Sequence, residues 1–123
     1  MAEHKEKIVY INTNGAENPD KAALPFMLAG AALAMEVDAA VVLQSTGVFL
    51  AKKGYLDNIP AAGSKSLRQL VDIFREAGGR LLVCIPCLKE RNIPDTDLIE
   101  GVVLTSGAAL NEEILGADAT LVY

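Results

Sequence analysis

Histidine and cysteine are scarce in this sequence, which contains one histidine, His4, and two cysteines, Cys84 and Cys87. With its one histidine in the N-terminal leader, a Ser-His-Asp or Cys-His catalytic constellation is hard to assemble within one chain. A single Cys-X-X-Cys pair supplies half of a tetrahedral zinc site, so a partner subunit would have to complete it. We therefore expect no metal and no cofactor, with a zinc ion shared between subunits as the alternative.

Phosphate-binding motifs are also missing. The sequence contains no GxxxxGK(S/T) motif, and no GxGxxG motif follows a predicted strand, which disfavours nucleotide hydrolysis and dinucleotide-dependent hydride transfer. Basic residues are fewer than acidic residues, 11 against 16, and the formal net charge is -5. A negative charge disfavours nonspecific contact with phosphate backbones and anionic membranes, so we expect neither nucleic acid nor a membrane as a partner.

Apolar runs of membrane-spanning length are not present. The most apolar segment, residues 22–35, is well short of the roughly 20 residues that a helix needs to cross a bilayer. The N-terminal sequence MAEHKEKIVYI enters a strand-like run directly, with no long apolar region before a small-residue cleavage site. We expect a cytoplasmic protein, in which paired thiols stay reduced unless they cycle.

Predicted strands and helices alternate along a chain whose 123 residues suit one compact domain, residues 1–123. Such alternation implies right-handed βαβ crossovers and a mainly parallel sheet with helices on both faces. We predict an α/β fold, a three-layer α/β/α sandwich with a five-stranded sheet. The strands are predicted at residues 7–12, 38–44, 80–84, 101–105 and 119–123, and the helices at residues 19–35, 66–78 and 108–116.

Two segments carry further expectations. The sequence LPFMLAGAALAM, residues 24–35, is apolar on all sides, which predicts a helix covered on nearly every side, partly by another subunit; burial within one chain under a long loop is the alternative. The connection from Ser45 to Lys65 is far longer than usual. We expect it to form a partly ordered cover over the strand ends, with Phe49 and Tyr55 as packing anchors.

Ligands of open parallel sheets bind at the carboxyl ends of the strands. Small polar residues follow several predicted strands. Each of them could also be structural, because such residues are common in turns and at helix N-caps. The candidate substrate-binding residues are Asn12, Thr13, Asn14, Ser45, Thr46, Thr105 and Ser106. Lys52 or Lys53 of the long connection is a further candidate.

Cys84 ends the third predicted strand and is the one strong nucleophile among these positions. Because Pro86 suits the first turn of a helix, Cys84 is predicted between a strand end and a helix N-terminus. Cysteines so placed have a lowered pKa, so we expect Cys84 to be the more reactive thiol. Cys87 lies within that first turn, as a secondary catalytic residue or as a small core residue.

Four segments together resemble the DsrE/DsrF-like family, which includes persulfide-carrying subunits of bacterial sulfur-relay complexes. They are NTNGAENPDKA, GVFLAKKG, VCIPCLKERNI and LIEGVVLTSGAAL. The resemblance implies that Cys84 carries the persulfide, and that the protein forms homo-oligomers, often trimers or hexamers, and exchanges sulfur with donor and acceptor proteins. Where members commonly have glycine after the cysteine-bearing helix, this chain has Asn92, which also suits a left-handed C-cap.

Three functions remain open on the sequence. The leading hypothesis is a sulfur carrier or sulfurtransferase-like protein that holds sulfur as a persulfide on Cys84. The second is a thiol-disulfide oxidoreductase, because the CIPC sequence places proline before the second cysteine, as in thioredoxins. The third is a non-enzymatic oligomeric module that binds a small ligand at the strand ends.

Overall fold

A computed structural model describes residues 4–59 and 63–123. Within them, strands and helices alternate as the sequence predicts. The strands are β1 (Lys7–Asn12), β2 (Asp38–Leu43), β3 (Arg80–Cys84), β4 (Val103–Thr105) and β5 (Ala119–Val122), and the helices are α1 (Pro19–Ala34), α2 (Leu67–Glu76), α3 (Ile85–Glu90) and α4 (Gly107–Leu115). Short 3₁₀ helices span Ser45–Ala51, Leu56–Asn58 and Asp95–Asp97.

The five strands form one sheet in the order β4-β3-β2-β1-β5. Each pair of neighbouring strands is parallel, so all strands end at the same edge of the sheet. The predicted α/β fold with a five-stranded parallel sheet is therefore confirmed.

The sheet is covered by helices on both faces. On one face, α1 and α2 pack together through Phe26 and Phe74, whose ring centroids lie 5.6 Å apart in an edge-to-face arrangement. On the other face, Leu110 of α4 packs against a second cluster that includes Val9 and Val42. The result is the predicted three-layer arrangement, in which β1, β2 and β3 are the buried centre of the middle layer and the edge strands β4 and β5 are largely exposed.

The ends of the elements differ slightly from the predicted ones. Strand β4 begins at Val103 rather than at residue 101, because Gly101 has a φ of 87° and turns the chain before the strand. Helix α2 begins after Ser66, whose side chain forms a capping box with Gln69. It ends before Gly78, whose φ of 96° leaves the helical region.

The long connection joins the core rather than lying loosely over it. Val48 and Leu50 of the first 3₁₀ helix are buried, and this helix packs against β2, β3 and α3. Phe49 and Tyr55 stack with ring centroids 5.6 Å apart, which confirms their prediction as packing anchors. Residues 60–62 of the long connection lie outside the described residues.

Helix α1 has an uncovered apolar face. Leu24, Met27, Leu28 and Met35 are exposed, with Met27 52% and Met35 72% accessible, whereas Phe26 and Ala29 on the opposite face are buried. The described residues of the long connection leave these side chains exposed, and cover by another subunit stays a prediction. In the described part of the chain, no helix combines the length and the apolarity needed to cross a bilayer.

Candidate functional site

The predicted site residues lie along the edge where the parallel strands end. Asn12 pairs with Leu43, and Cys84 pairs with Thr105. The polar residues that follow β1, β2 and β4 are therefore brought to the same edge as Cys84. This edge is the candidate functional site.

The two cysteines occupy the start of α3. Cys84 is the last residue of β3 and the N-cap residue of α3, and Cys87 lies in the first turn of that helix. Both are free thiols of intermediate exposure. The backbone N–H of Ser45 donates a hydrogen bond to Cys87 Sγ at 3.3 Å, so the end of β2 contacts the cysteine pair directly.

Ser45 has a strained backbone conformation. Its φ is 53°, in the left-handed region that costs a residue with a Cβ about 1–2 kcal/mol. The chain turns sharply here, and the N–H of Gly47 donates to the carbonyl of Gln44 at 2.9 Å. This turn points the Ser45 N–H at the sulfur of Cys87.

The electrostatics of Cys84 differ from the expectation. Burial raises the pKa of the Cys84 thiol, and hydrogen bonding with the Cys87 side chain raises it further. A backbone hydrogen bond from Cys87 lowers the pKa of Cys84, but the combined effects of burial and of the Cys87 side chain outweigh it. Helix α3 has only six residues and a short helix stabilises a thiolate weakly, so the predicted lowering of the Cys84 pKa is wrong.

Arg91, the C-cap residue of α3, contacts the first turn of the same helix through its side chain. Arg91 Nη1 donates to the carbonyl oxygen of Cys87 at 3.1 Å, which holds the guanidinium beside the helix. Asn92 then adopts a φ of 54°, which confirms the left-handed C-cap expected at this position.

Asn12 is held by structural contacts. It is fully buried, its Nδ2 donates to the carbonyl of Ala22 at 3.2 Å, and its Oδ1 accepts from the backbone N–H of Asn14 at 2.9 Å. Both ends of the amide are therefore satisfied by the turn from β1 into α1. Its role in substrate binding stays a prediction.

Three other candidate residues also make turn and cap contacts. Thr13 Oγ1 donates to the carbonyl of Tyr123 at 2.6 Å, which links the ends of β1 and β5. Thr105 is buried and donates to the carbonyl of Ser106 at 3.3 Å. The Ser106 hydroxyl accepts from Ala109 N and caps α4. Substrate binding by these side chains stays a prediction.

Glu17 joins the site without having been predicted from the sequence. Thr46 Oγ1 donates to Glu17 Oε2 at 2.6 Å, and the N–H of Gly15 donates to Oε1 at 2.9 Å. Burial opposes ionisation, but the hydrogen bonds from Thr46 and Gly15 outweigh it, so the pKa of Glu17 is lowered. An ionised carboxylate therefore lies beside Thr46.

The two lysines of the long connection contact the segment before β4. Lys53 Nζ donates to the carbonyl of Thr96 at 2.9 Å, and Lys52 forms an isolated antiparallel bridge with Leu98. Both contacts hold the connection to the segment before β4. Among residues 4–59 and 63–123, no three His, Cys, Asp or Glu side chains are grouped so as to hold a metal ion.

The sequence of a curated protein aligns with most of this chain. An uncharacterised protein of Methanocaldococcus jannaschii, MJ0760, is 31% identical over 118 residues. The alignment covers 96% of this chain but 39% of that protein. The chain therefore spans about two-fifths of the length of the curated relative that it matches.

Solved structures share the fold. The ychN protein of E. coli superposes with a TM-score of 0.74 at 22% identity, covering 96% of this chain and 99% of that one. The protein MTH1491 of Methanobacterium thermoautotrophicum, of unknown function, superposes with a TM-score of 0.69 at 19% identity, covering 98% and 100%. At these identities the likeness establishes the fold alone.

The remaining comparison concerns the family. The sequence model of the DsrE/DsrF-like family matches residues 6–123. This range includes all five strands and both cysteines. The match agrees with the resemblance carried by the four sequence segments. This chain belongs to the DsrE/DsrF-like family.

Proposed function

We propose that this protein is a sulfur carrier that holds sulfur as a persulfide on Cys84 and passes it to a partner protein. The position of Cys84 carries the proposal. It is a half-buried free thiol at the carboxyl end of β3, on the edge where parallel sheets bind their ligands. Membership of the DsrE/DsrF-like family supports a role in sulfur relay.

Loading and delivery are two exchanges of the same kind. The Cys84 thiolate attacks the outer sulfur of a donor persulfide, a bond forms between Cys84 Sγ and that sulfur, and the donor leaves as a thiolate. In delivery, an acceptor thiolate attacks the outer sulfur and Cys84 leaves as a thiolate. Neither exchange has a net oxidation or reduction, so no cofactor is required.

The raised pKa of Cys84 suits storage of sulfur. A thiol with a higher pKa has less thiolate at neutral pH, but its thiolate is intrinsically more nucleophilic and is a poorer leaving group. Transfer of the outer sulfur from Cys84 to a stray thiol, in which Cys84 is the leaving group, is therefore slow. Thr46, Ser106 and the other small polar groups of the strand-end edge are proposed to contact the outer sulfur or the docked partner.

A second candidate is a CxxC thiol-disulfide oxidoreductase, favoured by the placement of Cys84 and Cys87 in the first turn of α3. The two functions differ in reduction potential. A dithiol pair with a potential in the range of about -200 to -270 mV would match thioredoxins and glutaredoxins. A carrier persulfide on one thiol requires no such potential.

The partner of α1 is proposed to be a second copy of this chain. Its exposed apolar residues Leu24, Met27, Leu28 and Met35 repeat at intervals that place them on one face of the helix. A homo-oligomer would bury this face, as the family implies. The sulfur donor and acceptor are proposed to be proteins of the cytoplasm, where thiols stay reduced.

The proposal is tested by weighing the intact protein after loading. Reduced wild type, Cys84→Ser and Cys87→Ser are incubated with a persulfide-loaded sulfurtransferase under anaerobic conditions. Cys87→Ser is expected to gain the mass of one sulfur atom, whereas Cys84→Ser gains none. Equal gain in Cys84→Ser, or gain in neither variant, would refute the carrier function of Cys84.

A further inference from the structure

We infer that Cys87 is a resolving cysteine, which converts the persulfide on Cys84 into a Cys84–Cys87 disulfide and releases hydrosulfide. This inference rests on the proposed persulfide at Cys84 and adds an activity to it. The protein would then reduce sulfane sulfur to sulfide when no acceptor is docked.

The first step is that the two sulfur atoms are neighbours. Cys84 is the N-cap residue of α3 and Cys87 is its third residue. An N-cap side chain lies over the first turn of its helix, beside the N3 residue. The Cys87 side chain is also among the causes that raise the pKa of Cys84, which agrees with the placement of both sulfurs in the same turn.

The second step is that Cys87 Sγ is held by a donor from outside its own helix. The N–H of Ser45 donates to this sulfur at 3.3 Å. This bond fixes the position of the Cys87 sulfur relative to the end of β2.

The third step is that the chain accepts backbone strain to make this contact. Ser45 is a non-glycine residue with a φ of 53°, and residues in such conformations cluster at functional sites. The strained residue is the one that supplies the donor, so the strain and the contact with Cys87 belong to the same feature of the structure.

The reaction is balanced without an external oxidant. The Cys87 thiolate attacks Cys84 Sγ, the inner sulfur of the persulfide. A bond forms between the two cysteine sulfurs, the bond between Cys84 Sγ and the outer sulfur breaks, and the outer sulfur leaves as hydrosulfide with the bonding electron pair. The sulfane sulfur is reduced by two electrons as the two cysteines are oxidised to a disulfide. A dithiol reductant restores the cysteines for a further cycle.

The test follows one turnover after loading. Reduced wild type, Cys87→Ser and Cys87→Ala are incubated anaerobically with a persulfide-loaded sulfurtransferase, and the released sulfide and the intact masses are measured together. Samples without the donor control for adventitious oxidation. Wild type is expected to release one equivalent of sulfide per chain and to lose the mass of two hydrogens. Both variants are expected to keep the added sulfur and to lose sulfide release.

The outcomes separate this inference from the carrier function. If wild type keeps its added sulfur for as long as Cys87→Ser does, or forms the disulfide without donor-dependent sulfide, Cys87 is not a resolving cysteine, although Cys84 remains a carrier. If Cys87→Ser and Cys87→Ala gain no sulfur at all, the carrier function fails and this inference fails with it. Sulfide release from either variant equal to that of wild type would also overturn the role of Cys87.

Discussion

Ser45 and Cys87 are joined by a hydrogen bond from the backbone N–H of Ser45 to Cys87 Sγ at 3.3 Å, although 42 residues separate them in sequence. The bond ties the end of β2 to the helix that carries both cysteines. Cys84, by contrast, lies at the N-cap of α3, where burial and then the Cys87 side chain raise its pKa. The two thiols of the pair therefore differ in environment, and this difference leads to a testable prediction.

Alkylation of Cys84 is predicted to be slow at neutral pH. Burial, and then the neighbouring Cys87 side chain, raise the pKa of the Cys84 thiol, so its rate of reaction with iodoacetamide should reach half-maximum above the ordinary cysteine value of about 8.5. In Cys87→Ser the midpoint should move down, because one cause of the increase is removed. Peptide mass spectrometry across a pH series measures both midpoints, and a wild-type midpoint below about 8.5 would contradict the assignment.

Gly47→Ala is predicted to destabilise the strand-end edge. A Cβ at Gly47 would lie 2.5 Å from the backbone carbonyl oxygen of Asn12, so β1 and the 3₁₀ helix would have to move apart. The expected loss is about 1–3 kcal/mol of unfolding free energy, as for other overpacked sites. Urea unfolding measures it. The control is Gly107→Ala, where a Cβ meets nothing within 4 Å, and a loss as large in this control would show that the close contact is not the cause.

The fold could be predicted from the sequence because its signals are local. Strands such as β1 and β2 are short apolar runs bounded by turn residues, and α2 shows a helical repeat of apolar residues with a capping serine, Ser66. Alternation of such elements leaves a parallel sheet as the natural arrangement. The edge where the strands end then follows from topology, which is why Cys84 could be placed at it.

The electrostatics of the site could not be predicted in the same way, because they depend on tertiary contacts. The position of Cys84 before a helix favoured a lowered pKa, but the structure shows a short helix and a partly buried sulfur. Burial is the largest effect on the pKa of Cys84, and it raises that pKa. Glu17 and Thr46 are 29 residues apart in sequence, and no local pattern marks their contact. The hydrogen bond from Ser45 to Cys87 could not be predicted either, because these residues are 42 positions apart in sequence.

Glu113→Gln is predicted to destabilise the fold in a pH-dependent way. Glu113 Oε1 lies 2.5 Å from Lys7 Nζ and 2.5 Å from Arg80 Nη2, and its side chain is only 17% exposed. The bond from Arg80 is the largest cause that lowers the pKa of Glu113, against an opposing effect of burial. We expect a loss of about 1.5–3 kcal/mol at pH 7, as for hydrogen bonds to charged groups.

The direction of the pH dependence follows from the lowered pKa of Glu113. A group whose folded-state pKa is depressed contributes stability above its unfolded value, and this contribution is lost as the pH falls through the folded value. The difference between wild type and Glu113→Gln should therefore be full at pH 7 and shrink below about pH 4.3, the ordinary value for glutamate. Chemical unfolding at several pH values tests this. The adjacent, exposed Glu112 supplies the control variant Glu112→Gln, which should show little difference at any pH.

Met27→Lys is predicted to convert a homo-oligomer into a monomer. Met27 is 52% exposed in the centre of the apolar face of α1, so a charge there would be buried unpaired in the proposed interface. Sedimentation velocity at micromolar concentration measures the mass of wild type and of the variant. Glu112→Lys, on exposed surface of α4, is the control and should keep the mass of wild type. A monomeric wild type would refute the interface.

The most direct test of sulfur carriage is to locate the added sulfur atom by fragmentation mass spectrometry of loaded Cys87→Ser. This variant retains Cys84 as its one thiol and cannot form the intramolecular disulfide, so the added sulfur should persist. We expect fragment ions that place one extra sulfur on Cys84, and we expect that sulfur to be lost when a thiol acceptor is added. Two results would contradict sulfur carriage by Cys84. In the first, no fragment that contains Cys84 carries the extra sulfur. In the second, reduced Cys84 stays unmodified after exposure to the loaded donor.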